Sequence, residues 1–476
     1  MKKSIILTAA VIAAMLLSGC GDIEIGSAPA QASAASDTPA PIEIAQAEAT
    51  RIILSGDSAS VEGGGASVNG SVISISASGE YTVSGKLNDG YILVNTGEDA
   101  KNVTITLEGA DISCSTGAAI YCQQAKKLTI NLASGTENLL TSGSGSEISK
   151  ADESAQGAVI FSEDDLNIKG DGSLTITAYI NNGITGKDDV KIKSGSLRIN
   201  AANNGIRGSE SVVIESGSVE INAKNDGIKS TSVTKENKGF ITIEDGSISI
   251  ISGGDGVSAA KELTINGGNI SVSAAGTELL SGKAVKSGST MTINGGVFDL
   301  ASDTDKAISC GANIYINGGS FTLSSGKDGI ASPSAVIINS GSFSITAAGD
   351  GIQAGEKGGS TGTVSLSNGS LCISAGSSPV NAKGIFEISG GSLYASGNSK
   401  SVKNLNLKGI SAVWFTSGSQ LAAKSNVTVS AADDSFTASL TPDRGYKLII
   451  VAAPEIIGGN EYSMTAGNVK ITSTAS

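Results

Sequence analysis

The sequence predicts an all-β fold, a right-handed parallel β-helix whose coils hold roughly 22 residues. The first observation behind this is a phrase that recurs with variations. Its clearest form is Val219-Glu220-Ile221-Asn222-Ala223-Lys224-Asn225-Asp226-Gly227-Ile228. It returns around Asn204-Gly205-Ile206, Asp255-Gly256-Val257, Asp328-Gly329-Ile330 and Asp350-Gly351-Ile352. Gly183, Gly205 and Gly227 are 22 apart, as are Gly329 and Gly351, and Gly256 follows Gly227 after one period plus seven inserted residues. The second observation is a Gly-Ser pair on the same beat: Gly195-Ser196, Gly217-Ser218, Gly246-Ser247, Gly319-Ser320, Gly341-Ser342. The third is that each period holds two alternating runs, as in Val190 and Ile192, then Leu197, Ile199 and Ala201. Alternation marks strands with one buried face, and a fixed period of this length marks a solenoid. An antiparallel meander would need hairpin turns at short regular intervals and gives no reason for the 22-residue identity.

Each part of the coil has a physical role. The Asn/Asp-Gly pair is expected to turn the chain through glycine's tolerance of positive φ, and Gly-Ser makes a second corner. Ile184, Ile206 and Ile228 restart the inward face and should stack about 4.8 Å apart, the spacing of paired strands. Aromatics are only 4% of the chain, so stacked Ile, Val, Leu and Ala must build the core, which suits a narrow lumen. The length of 476 residues would suggest several globular domains, but a repeat protein grows along one axis.

In chain order, residues 1–19 read as a signal peptide, with Lys2-Lys3 before an apolar run from Ile5 to Leu17 that is short for a membrane span. Leu17-Ser18-Gly19-Cys20 resembles the bacterial lipobox, in which cleavage precedes the Cys and its thiol is lipidated. An ordinary secretory signal with a coincidental Cys is the alternative. Residues 20–50, the lipidated Cys20 and an Ala/Ser/Pro-rich stretch, read as a flexible tether. The expected location is therefore outside the cytoplasm, anchored to the bacterial cell membrane through lipid. Losing residues 1–19 takes the formal charge from −13 to −15, which argues against nucleic acid as a partner.

Residues 51–160 alternate irregularly, as in Val72-Ile73-Ser74-Ile75 and Leu128-Thr129-Ile130-Asn131-Leu132, and read as an N-terminal cap and first coils with a polar excursion at 141–156. Residues 161–402 are the regular coils, interrupted at about 231–238, 277–282 and 356–361. The first and third interruptions fall at the same corner, after Ile228 and Ile352, where insertions often line a binding face. Residues 403–476 lose the period and read as a C-terminal β cap.

The repeated Asp-Gly-Ile and Gly-Gly-Ser phrases, the opening Ile53-Leu54-Ser55-Gly56-Asp57-Ser58, and Ala118-Ala119-Ile120-Tyr121 resemble a known family. So do Phe161-Ser162-Glu163-Asp164-Asp165-Leu166 and the closing Ala452-Ala453-Pro454-Glu455. The family is the carbohydrate-binding β-helix proteins of clostridial and related cell surfaces. The resemblance covers about 51–476. It implies a right-handed parallel β-helix similar to polysaccharide lyases, and binding of plant cell-wall polymers such as cellulose or polygalacturonate with calcium. The family usually writes Asp-Asp-Gly-Ile at the corner, often with His soon after. Here there is no His, and corners have become Asn182-Gly183, Asn204-Gly205, Lys283-Ala284, Lys306-Ala307 and Pro379-Val380.

The residue before each corner forms a column: Asn182, Asn204, Asp226, Asp255, Lys283, Lys306, Asp328, Asp350. Two carboxylates about 5 Å apart repel by roughly 3 kcal/mol at an effective dielectric near 20, so something must offset them. Pairing of Asp255 with Lys283 and of Lys306 with Asp328 is expected, leaving Asp226 and Asp350 freer to take a cation. Calcium binds oxygen ligands at about 2.3–2.6 Å and could bridge adjacent coils; alternatively Asp and Asn are simply good corner residues. Alignment from Ile160, Ile184 and Ile206 gathers a second acidic column, Asp164, Asp188 and Glu210, beside Asp165, Asp189 and Ser211. With no lysine interleaved, it is the stronger calcium candidate, against the alternative of a solvated acidic face.

Arg207 and Lys229 hold equivalent places two residues after Gly205 and Gly227. They could pair with uronate carboxylates, serve with Lys283 as candidate bases of a calcium-dependent β-elimination, or be merely solvated. Tyr179 should face outward and is a candidate sugar contact, whereas Phe298, Phe321 and Phe343 should be core. The absence of His excludes His-dependent triads. Cys114, Cys122, Cys310 and Cys372 remain after lipidation; export permits disulfides, but no pairing can be deduced, and Cys372 should point outward. The resulting expectation is a monomeric, non-catalytic surface lipoprotein that binds a cellulose- or pectin-like polysaccharide with calcium. The alternatives are a pectate-type lyase and a structural adhesin or envelope spacer.

Overall fold

Three parallel strands close each coil. In one coil they are Ile206–Gly208, Ser211–Ile214 and Ser218–Ala223; in the next, Ile228–Ser230, Phe240–Ile243 and Ser247–Ser252. The register places Ile206 on Ile228, Val212 on Ile241 and Val219 on Ile248. This computed structural model describes residues 49–97, 101–143, 158–277, 281–355, 361–398 and 404–476. The signal peptide, Cys20, almost all of the tether, most of the 141–156 excursion and the centres of the two later insertions lie outside the described residues. Among those residues every regular element is a strand. The chain is a parallel β-solenoid, with one face of each coil gathered into a 14-stranded sheet and the other two joined in a 29-stranded one.

The inward face is the predicted one. Ile184, Ile206, Ile228 and Ile352 are fully buried, and Phe298, Phe321 and Phe343 stack with ring centroids 4.5 and 4.4 Å apart. The corners correct one expectation. Positive φ belongs to the Gly-Ser corner, at Gly195 (+105°), Gly217 (+102°) and Gly246 (+115°). The Asn/Asp-Gly glycines are outside that region. They are glycine for room: a Cβ on Gly205 would lie 2.5 Å from Ile221 Cγ2 and 2.7 Å from the Gly227 carbonyl oxygen.

Both ends of the stack are covered by antiparallel structure. At the start, Thr50–Gly56 pairs antiparallel with Ser58–Glu62 and parallel with Gly79–Leu87. At the other end, Tyr446–Ala453 runs antiparallel to Ser392–Gly397 on one side and to Ser411–Leu421 on the other. A separate four-stranded antiparallel sheet, Val427–Ala431, Thr437–Leu440, Glu461–Ala466 and Val469–Thr474, helps enclose a second core around Phe415, Tyr446, Tyr462 and Met464. Along the outside of the coils runs an amide ladder. Asn339 donates to Asn317, Asn317 to Asn294, Asn294 to Asn266, and Asn266 to the Glu244 carboxylate, at 2.6–2.7 Å. The four cysteines among the described residues carry free thiols. Cys114, Cys122 and Cys310 are buried and Cys372 is exposed as expected; burial pushes the Cys122 thiol up to about 12.

Candidate functional site

The corner column shows why its residues are Asn or Asp. Asn182 Oδ1 accepts the Asn204 N–H at 3.0 Å, Asn204 Oδ1 that of Asp226 at 3.2 Å, and Asp226 Oδ1 that of Asp255 at 2.8 Å. Asp255 Oδ1 continues with the Lys283 N–H at 2.9 Å, and Asp328 and Asp350 repeat the pattern onto Asp350 and Ser378. A short side chain with an acceptor can reach the next coil's backbone donor, which burial would otherwise leave unsatisfied. Where the acceptor is a carboxylate, that donation also offsets the crowding of like charges.

The ion pairs differ from the expected ones. Asp255 is held by Lys286 at 3.1 Å, while Lys283 reaches Asp305 at 3.0 Å; Lys306 does meet Asp328, at 3.8 Å. Asp226 is not free for a cation, since Lys229 holds it at 2.7 Å, and Asp350 Oδ2 accepts the Asn381 amide. Asp305 was not foreseen because it stands one residue before the column. Burial would raise its pKa, but hydrogen bonds from Ser281 and Lys283 prevail and hold the carboxyl at about 2.

The second acidic column forms as aligned, with Asp189 beside Ser211 and the Glu210 N–H on the Asp188 carbonyl. Its lack of lysine is corrected. The insertion after Ser230 brings in Lys238, 3.0 Å from Asp189 and 2.7 Å from Glu210, and Lys235, which also binds Glu210. Asp164 accepts the Ala125 N–H at 2.8 Å, and Asp165 is in register with Lys127. Burial, then the neighbouring Glu210, pushes the Asp188 carboxyl above its usual range, whereas the two lysines hold Glu210 below it. Among the described residues no three acids or thiols are placed to hold a metal ion. Of the acids proposed for calcium, Asp164, Asp189, Glu210, Asp226, Asp255, Asp328 and Asp350 already accept from nitrogen donors, which leaves few of their oxygens for that ion.

Arg207 and Lys229 do come together. They are in register on adjacent strands and line a cleft of about 280 Å³ on the outer face of the 14-stranded sheet. Its wall is a run of amides that the 22-residue spacing of asparagines could have revealed: Asn225 Nδ2 donates to Asn203 Oδ1, and Asn203 Nδ2 to Asn181 Oδ1, each at 3.1 Å. Asn182 and Asn204 stand behind it, and Thr231 closes one side. Arg207 makes no ion pair among the described residues. Each ladder amide keeps one N–H and one lone pair for a ligand, and a guanidinium offers a planar fork of donors. Tyr179 is 61% exposed but does not line the cleft. Lys283, the third candidate base, is occupied by Asp305.

A polysaccharide lyase-like protein from C. thermocellum, solved as a gadolinium derivative, is 34% identical; the match covers 52% of this chain and 96% of that one, with a TM-score of 0.48. A carbohydrate-binding domain-containing protein of Acetivibrio thermocellus is 34% identical over 200 residues, 42% of this chain and 65% of the relative's length. The sequence profile of the carbohydrate-binding domain-containing proteins matches residues 69–329 and 324–474, which is most of the chain. The chain belongs to that family of carbohydrate-binding domain-containing proteins.

Proposed function

We propose that the protein binds a cell-wall polysaccharide, pectin-like or cellulose-like, in the cleft of Arg207 and Lys229 and does not cleave it. The observation that carries this reading is the Arg207 guanidinium, without an ion pair among the described residues, set beside an amide ladder. Amides exchange hydrogen bonds with sugar hydroxyls, and a guanidinium takes a uronate carboxylate in a bidentate grip. Elimination would require a base beside a cation that acidifies the substrate, and Asp226, which stands at the corner of the Lys229 strand, is spent on Lys229. Lipidation of Cys20 would display the monomeric solenoid outside the cytoplasm. The charge of −15 left after loss of residues 1–19 repels a polyuronate at long range, but that repulsion is screened beyond about 8 Å at physiological salt.

The test is retention on insoluble polygalacturonate and on cellulose. The wild type should be retained, and Arg207→Ala with Lys229→Ala should lower polygalacturonate retention severalfold. Absorbance from an unsaturated uronate should stay flat. Growth of that absorbance, abolished by the same substitutions, would make the protein a lyase. Absence of retention across a glycan panel would favour a structural spacer.

A further inference from the structure

Two adjacent coils present the same cleft position differently. Asn204 precedes its corner glycine and Arg207 follows three residues later; in the next coil Asp226 and Lys229 take those places. Asn204 Oδ1 and Asp226 Oδ1 do one job, accepting the backbone N–H of the coil that follows. That job needs an oxygen but no charge, since Asn182 and Asn204 perform it neutrally. The second carboxylate oxygen of Asp226 is therefore surplus to the ladder. It holds the Lys229 ammonium at 2.7 Å, with Asp226 nearly buried and Lys229 a third exposed.

We propose that Asp226 is an internal competitor for Lys229 that sets how strongly the cleft prefers acidic over neutral sugars. The proposal rests on the cleft being the polysaccharide site. An incoming uronate finds Arg207 available but must displace Asp226 to use Lys229, whereas a neutral sugar meets the amides and displaces nothing. The cleft thus offers one effective positive charge where its composition shows two cations. A ligand that binds both must lie along the coil axis, because Arg207 and Lys229 stand on neighbouring strands about 4.8 Å apart.

Asp226→Asn tests this with a gain rather than a loss. The substitution keeps Oδ1 for the Asp255 N–H, places the residue already used by the two preceding coils, and replaces the oxygen on Lys229 with an amide nitrogen. Binding of defined oligogalacturonides by Asp226→Asn should tighten about two- to fivefold at low salt, the worth of a partly exposed ion pair released to the ligand. The gain should shrink as salt rises, and binding to a neutral oligoglucan should not change. The Asp226→Asn, Lys229→Gln double variant should lose the gain, while matching melting curves verify folding. Unchanged or weaker oligogalacturonide binding by folded Asp226→Asn would overturn the proposal, as would an equal gain for the neutral ligand. If the wild type binds oligogalacturonide and Arg207→Ala weakens it while Asp226→Asn does nothing, only this inference fails. If neither protein binds and Arg207→Ala has no effect, the cleft reading falls and takes this one with it.

Discussion

Gly227 shows what one coil asks of one position. A Cβ there would lie 2.4 Å from Ile250 Cγ2 and 2.6 Å from the Gly256 carbonyl oxygen, both fixed by core packing and the strand ladder. Gly227→Ala should therefore cost about 1–3 kcal/mol through overpacking, read as a lower denaturant midpoint with an unchanged slope. Gly217 is glycine for two reasons, its φ of +102° and the Gly195 carbonyl oxygen 2.7 Å from where a Cβ would be. The letter G reads the same for both causes, which is why the sequence points to a corner but not to its backbone conformation. Isoleucine is more explicit. Its recurrence at Ile184, Ile206 and Ile228 names both the inward direction and the partner in the next coil, and the register agrees.

The insertion between Ile228–Ser230 and Phe240–Ile243 shows what a single element can hide. Column reasoning works for residues that keep the period, so it places Asp188 and Glu210 together and finds the Arg207–Lys229 pair. Lys235 and Lys238 break the period, and nothing in spacing alone sends them back across the preceding coil to Glu210 and Asp189. Lys286 keeps the period, in the column of Arg207, Lys229 and Ser258, and was missed because partners for Asp255 were sought only within the corner column; it reaches back one coil to Asp255. These lysines pair with carboxylates that a cation would need as ligands. Accordingly, calcium and chelator should leave the parent's melting temperature the same. Lys235→Ala with Lys238→Ala should melt lower and regain stability with added calcium, since an ion bound only to the folded state stabilises by mass action. A parent that melts lower in chelator would show that calcium sits elsewhere on the chain.

On the scale of the whole solenoid, the two ends decide solubility. A stack of parallel coils presents an unpaired row of N–H and C=O groups wherever it stops, which invites pairing with another chain. Here Tyr446–Ala453 turns against Ser392–Gly397 and replaces a further coil with an antiparallel strand. Deletion of residues 404–476 should leave the coils formed but associating, seen as a weight-average mass that rises with concentration in sedimentation. A truncated chain that stays monomeric would mean that the final coil protects its own edge. Apart from the ends, this scale was the most legible in the sequence, because one period repeated many times averages out local irregularities.

The outer amide ladder bears on how the molecule ages. Asn266, Asn294 and Asn317 each precede a glycine, the setting in which an asparagine side chain most readily cyclises onto the next backbone nitrogen and loses ammonia. Ring closure requires the amide carbon to swing toward that nitrogen. In the coils each of these amides donates to one neighbour and accepts from another, so the swing breaks two hydrogen bonds at once. Each conversion would also place a new carboxylate beside the next amide oxygen and remove a donor from the line. Chemical wear should therefore begin at a frayed rung and spread along the ladder from there, so the shelf life of the folded protein depends on how often a rung opens.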